Sequence, residues 1–240
     1  MIRVGVVRLK DYEGWIRSLG YDREWIVQAV QADVYRSLVI ESAQAGMFSL
    51  PLTYDSYLVI INAVDLEGFR DVVNKLSNRA PVALATYIGL GPSYLEAVEK
   101  LRPLTEEIEG SLGEGLEDTV AVHLDLDGYN ELISNKGLRY VGEIMGAALD
   151  KVRRISAEYG GLAYYAGGDN IICFVPYEGL EDFLNDVRAK DFKVGVGIAP
   201  RPRDALKLAA QALDVIRHGR QNDKALVVRV LKSRPRAEAD

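Results

Sequence analysis

Three acids and an amide stand out by where they fall. Asp125 and Asp127 close the run VAVHLDLDGYN, and Asp169 and Asn170 follow Gly167 and Gly168 in YYAGGDNIICFV, between two stretches of bulky apolar side chains. Carboxylates brought to one edge repel each other, and a hard divalent cation relieves that repulsion by taking oxygen ligands. Magnesium is the expected occupant, because it holds few protein ligands and keeps the rest of its octahedron for water and substrate phosphates. Glycines at 167 and 168 let the backbone turn tightly and let a ligand approach where a side chain would block it. A plainer reading stands beside this one. Asp125 and Asp127 also suit a strand-end turn and a helix N-cap, and Asp169 and Asn170 also suit a turn that needs positive φ.

The elements that must position these residues occur twice. In the first half, RVGVVRL (3–9) reads as a strand and 22–45 carries apolar residues at helical spacing up to Gly46. Two apolar runs then flank Thr53-Tyr54-Asp55-Ser56 as hairpin arms flank a turn. A helix near 66–78, a strand VALATYIGL and a closing helix PSYLEAVEKLRPL complete the set. The second half repeats the order: strand 120–126, helix 137–160, the hairpin LAYYAGGDNIICFVP, a helix near 178–189, the strand FKVGVGIAP and the helix RDALKLAAQALDVIRHG. The pattern predicts an α+β fold of two tandem βαββαβ units with mostly antiparallel mixed sheets and helices on one face. The expected division is a first domain at 1–105, an acidic, glycine-bearing linker at 106–118 and a second domain at 119–240.

Aligning Tyr12 with Tyr129 places Arg8 on Asp125, Lys10 on Asp127 and Asp55 on Asp169. The first copy has lost its leading acids, so the second is expected to hold the chemistry. His123 and Cys173 lie in strands among apolar neighbours and read as core residues. With 29 Lys and Arg against 35 Asp and Glu, the net charge of −6 offers no general basic surface to nucleic acid or an anionic membrane. No apolar run reaches the length of about 18 residues that a spanning helix needs. A single cysteine forms no internal disulfide, and the N-terminus lacks a signal peptide's apolar region, so a cytoplasmic protein is expected.

HLDLDGYN, YYAGGDNIICFVP and VGVGIAPRPRDALKLAAQALDVIR together resemble the palm-type nucleotidyl cyclase fold of GGDEF domains and class III cyclases. GGDN in place of GGDEF, the two tandem copies and the degenerate first hairpin TYDS resemble archaeal GTP cyclohydrolase III. That resemblance implies a GTP-dependent enzyme that opens the imidazole ring at C8, keeps the formyl group, and leaves a 5′-monophosphate and two phosphates, early in a flavin or deazaflavin-type pathway. It implies about two magnesium ions, with Asp125, Asp169 and the Leu126 carbonyl as first ligands and Asp127 and Asn170 as second choices. It also implies a monovalent cation such as potassium.

The helix start after Asp127 would offer N–H groups to a phosphate beside Gly128, Tyr129 and Asn130. Arg217 and Lys224 are the expected phosphate-binding cations at the end of the last helix, and Arg8 and Asp55 of the first copy are expected to aid substrate recognition. Because palm units pair readily, an even-numbered homo-oligomer, dimer or tetramer, is expected. Two other readings stay open: a GGDEF-like nucleotidyl cyclase releasing pyrophosphate, and a non-catalytic GTP-binding module.

Overall fold

The computed structural model describes residues 1–104, 116–188, 192–219 and 228–232. The chain divides into two compact units. The first comprises 1–92, 96–117 and 201–203, and the second comprises 93–95, 118–200 and 204–240.

In the first unit, strand β1 (Ile2–Leu9) lies at the centre of a five-stranded sheet of order β2-β3-β1-β4-β5. Its partners are β2 (Phe48–Pro51), β3 (Ser56–Ile60), β4 (Leu84–Gly91) and the short β5 (Arg102–Pro103), and every pairing is antiparallel. The helix Leu66–Ser77 begins where the Asp65 carboxylate accepts a hydrogen bond from the Gly68 N–H at 2.6 Å. It buries Leu66, Phe69, Val72 and Leu76, an apolar stripe at three- and four-residue spacing. The helix Glu24–Gln44 adds Val34 and Leu38 to the same core.

The second unit has β6 (Thr119–Leu126), β7 (Leu162–Gly167), β8 (Asn170–Val175), β9 (Phe192–Ala199) and β10 (Val228–Lys232), in the order β10-β9-β6-β8-β7. Numbered within each unit, both sheets run second, third, first, fourth, fifth. They differ at one edge, where β10 runs parallel to β9 while β5 runs antiparallel to β4. Val120, Val122, Leu124 and Leu126 point to a core shared with helices Leu138–Glu158 and Leu180–Val187. Truncating fully buried Phe183 in that core to alanine would cost about 3–5 kcal/mol.

The other face of this sheet is covered as well. A Cβ on Gly197 would run into the Ala205 carbonyl oxygen, and one on Gly195 into that of Ala209, so the helix Pro202–Gly219 lies directly against β9. Helices therefore pack on both faces, which corrects the one-face expectation. Period-two alternation in a strand buried on both sides is too weak to reveal the second layer.

Three further corrections concern short elements. The stretch 92–104 holds a helix at Tyr94–Glu99 followed by β5, not one continuous helix. A short helix at Tyr12–Ser18 follows β1, where its counterpart Tyr129–Lys136 after β6 begins as expected just past Asp127, and β10 is an additional edge strand. Of the expected linker 106–118, only the part from 116 onward lies within the described residues. Among the described residues no helix is long and apolar enough to cross a membrane.

Candidate active site

The last residues of β6 set the geometry. Asp125 lies opposite Asn170 of β8 and opposite Lys193 of β9, so three polar side chains arise side by side at one end of the sheet. One residue on, the Leu126 N–H donates to the Asp169 carbonyl at 3.0 Å, which ties the strand end to the hairpin tip. In that hairpin Gly167 pairs with Asn170, leaving a two-residue loop of Gly168 and Asp169. Gly167 (φ 100°) and Gly168 (φ 60°) occupy the left-handed region that the tight turn requires. The Tyr165 hydroxyl donates to the Gly168 carbonyl at 2.9 Å, fastening the loop to its own strand.

Charges alternate around this edge. Asp125 is only 3% exposed, and its Oδ1 lies 2.6 Å from Nη2 of Arg217. Arg217 comes from the last turn of the helix Pro202–Gly219, so the close packing of that helix on Gly195 and Gly197 is what lets it reach the strand end. Asp127 is held by the Lys193 ammonium at 2.6 Å. His123, two residues before Asp125, has its Nε2 2.7 Å from Oδ1 of Asn170, whose Nδ2 donates to Oδ1 of Asp169 at 2.6 Å. Burial lowers the His123 pKa, against the opposing pull of the Asn170 hydrogen bond and the Asp125 charge, so the ring is neutral near pH 7.

A pocket of about 590 Å³ opens above these groups. Of the residues expected from sequence, Asp125, Leu126, Asp127, Gly128, Tyr129, Asn130, Asp169 and Arg217 line it. Gly128 (φ 71°) caps the helix Tyr129–Lys136, so the first N–H groups of that helix begin at the pocket wall. Gly167 and Gly168 shape the hairpin, and the Asn170 amide is engaged by His123 and Asp169. Arg8 and Asp55 belong to the first unit, where Arg8 Nε meets Asp55 Oδ2 at 3.3 Å. Their backbone repeats the second unit's: Arg8 lies opposite Ser56, and the Leu9 N–H donates to the Asp55 carbonyl at 2.8 Å. Where the second copy has two acids, the first thus has a self-neutralising ion pair. Burial pushes the Asp55 carboxyl up, but hydrogen bonds from Thr53, Arg8 and Ser56 outweigh it and hold the pKa below the usual value. Lys224 lies outside the described residues.

Lys193 and Glu131 also line the pocket and were not singled out from sequence. The signal for Lys193 was a lone cation in the otherwise apolar run FKVGVGIAP, and only the register of β9 against β6 converts it into a neighbour of Asp125.

The donor set suits magnesium. Asp125, Asp169 and the Leu126 carbonyl are all hard oxygen donors on adjoining strand ends. Among the described residues no group of three or more His, Cys, Asp or Glu is placed to hold a metal ion, so an ion held by Asp125, Asp169 and the Leu126 carbonyl would have to draw the rest of its shell from water and substrate oxygens.

Comparison with known proteins gives this arrangement a family. Two solved structures are similar at low identity: a diguanylate cyclase/phosphodiesterase from Caldicellulosiruptor saccharolyticus (17% identical, TM-score 0.40, covering 49% of this chain and 79% of that one) and a GGDEF domain from Pseudomonas aeruginosa (17%, TM-score 0.39, 48% and 84%). Full-length relatives are nearer. The GTP cyclohydrolase III of Aeropyrum pernix is 35% identical over 95% of this chain and 97% of its own length, and that of Sulfurisphaera tokodaii is 33% identical over 90% and 94%. The GTP cyclohydrolase III family model matches residues 4–230, and with a match of that extent the chain belongs to the GTP cyclohydrolase III family of enzymes.

Proposed function

We propose that this chain hydrolyses GTP, opening the imidazole ring at C8 and trimming the triphosphate. The product is 2-amino-5-formylamino-6-(5-phosphoribosylamino)pyrimidin-4(3H)-one, released with two phosphates. Water adds at C8, the C8–N9 bond breaks, and the formyl group stays on N7. Further waters cleave the phosphoanhydride bonds. The observation that carries this reading is the pocket itself, in which Asp125 of the strand end, Asp169 of the hairpin tip, the cations Lys193 and Arg217 and a helix N-terminus face one space.

The residues divide the work by charge. Asp125 and Asp169 are the proposed magnesium ligands, together with the Leu126 carbonyl. Bound there, magnesium would polarise the phosphoryl oxygens and neutralise the charge that develops as they transfer. Arg217 and Lys193 supply fixed positive charge for a triphosphate, and the N–H groups that start at Tyr129 receive phosphate oxygens beside Gly128. Asn170 favours this reading over a cyclase, because its amide is committed to His123 and Asp169. The same reading places the enzyme in the cytoplasm, where GTP is supplied, at an early step of flavin or deazaflavin-type synthesis.

The test is product identification. Purified protein is incubated with GTP and magnesium, the nucleotide product is identified by mass spectrometry, and phosphate and pyrophosphate are assayed separately. A formamidopyrimidine monophosphate with phosphate is the expected result. An intact purine with accumulating pyrophosphate overturns the proposal.

A further inference from the structure

We infer that His123 and Asn170 form a positioning relay that holds the Asp169 carboxylate in its metal-binding orientation, which explains why the hairpin carries an amide after its aspartate. The inference rests on the reading of Asp169 as a magnesium ligand.

The donor and acceptor pattern is self-consistent in one sense only. Nδ2 of Asn170 faces two acceptors, Oδ1 of Asp169 at 2.6 Å and the Gly167 carbonyl at 3.4 Å. A flipped amide would turn its oxygen towards both of them and lose both bonds. Oδ1 of Asn170 must therefore face His123, and Nε2 at 2.7 Å must carry the hydrogen. The polarity runs from His123 through Asn170 to Asp169. The amide engages one oxygen of the carboxylate and fixes its torsion, so that ligation falls to the remaining lone pairs.

His123 is suited to anchor the chain. It sits in the central strand, half-buried and paired with Ile172 on one side and Gly195 on the other, whereas Asn170 begins β8 beside the two-residue loop. Without His123 the amide would be held only by the hairpin it is meant to order. An acid at position 170 cannot donate a hydrogen bond to Asp169, and it would add negative charge beside both Asp169 and Asp125. Arg217 serves Asp125 separately, so each acid has its own partner.

Partners that orient a metal ligand are typically worth about 10–100-fold in metal affinity. The experiment titrates purified protein with Mn²⁺ and reads free ion by electron paramagnetic resonance, with no turnover required. His123→Leu is expected to weaken Mn²⁺ binding about tenfold. His123→Gln, which offers an N–H at similar reach, is expected to restore most of it. Asp169→Asn, the control for the ligand itself, is expected to lose the site. If Asp169→Asn loses binding while His123→Leu keeps wild-type affinity, or if Leu and Gln at position 123 weaken it equally, the relay is wrong although the ligand assignment stands. If Asp169→Asn binds Mn²⁺ as wild type does, the ligand assignment fails and takes the relay with it. Should His123→Leu fail to fold, Asn170→Ala tests the same link at the strand end, and wild-type affinity in that variant overturns the proposal.

Discussion

Arg217 Nη2 lies 2.6 Å from Asp125 Oδ1, joining residues 92 apart in sequence. The two ends of this contact live in different surroundings. The Asp125 side chain is 4% exposed and that of Arg217 is 46% exposed, so the acid is fixed in the sheet while the cation reaches in from solvent. An ion pair half open to water is screened and contributes modestly to stability. Its position at the pocket makes it more consequential for ligand binding than for folding.

Removing either strand-edge carboxylate should therefore remove activity before it removes the fold. Asp125→Asn and Asp169→Asn each delete a charge and a proposed magnesium ligand without opening a cavity in the core. Phosphate release from GTP is expected to fall below detection in both purified variants, with circular dichroism and cooperative melting retained. Wild-type rates in either would place the metal elsewhere.

Replacing Arg217 with glutamine should separate the substrate from the product. A partly exposed guanidinium beside the outer phosphates interacts more with a triphosphate than with a single phosphate. Isothermal titration in calcium, to suppress turnover, is expected to show GTP affinity falling more than that of the monophosphate product. Equal losses would put Arg217 away from the triphosphate.

Lys193→Gln should raise KM for GTP by about tenfold, the size expected when a charge-assisted hydrogen bond of about 1.5 kcal/mol is lost. Its side chain is only 12% exposed at the pocket wall, so solvent screens it less than Arg217. Steady-state kinetics at saturating magnesium measure the effect. An unchanged KM would leave Lys193 as a structural partner of Asp127 alone.

The sequence carried the repeated plan and the strand-end acids because both depend on local pattern. Asp125 and Asp169 are legible as apolar runs that stop at an acid, and the Tyr12–Tyr129 alignment already sets Arg8 against Asp125, the equivalence seen in the paired registers of β1 with β3 and β6 with β8. What depends on register across three strands was not legible. Lys193 becomes a site residue only once β9 is laid against β6, and the Asn170 amide's engagement by His123 requires knowing which side chain stands beside it. The second helical layer was hidden for a related reason. Gly195 and Gly197 announce close backbone approach, but a glycine in a strand does not say what approaches.

Cys173 offers a check on the packing of the second unit that is independent of catalysis. Burial pushes its thiol up to about 12. A thiol held neutral in the native state stabilises fully below its unfolded value of 9.0, and that contribution is lost as pH rises towards the folded value. Native protein at pH 8 is expected to be inert to a disulfide exchange reagent and to react once denatured. Between about pH 9 and 11, Cys173→Ala should lose less stability than wild type. Rapid labelling of the native protein would mean that the β8 core is open.

The last prediction separates ring opening from cyclisation. Hydrolysis at C8 makes no use of the ribose 3′-hydroxyl, whereas a cyclase must use it as the nucleophile. With 3′-deoxy-GTP as substrate, turnover is expected to persist with release of phosphate, and the nucleotide product should carry the elements of one added water in its base, about 18 mass units before phosphate loss is counted. The structural ground is the hairpin tip, where Asn170 is spent on orienting Asp169 through the hydrogen bond at 2.6 Å and adds no further carboxylate to the metal edge. Complete loss of turnover with the deoxy analogue, together with pyrophosphate and an unaltered purine spectrum from GTP itself, would assign this pocket to nucleotidyl transfer instead.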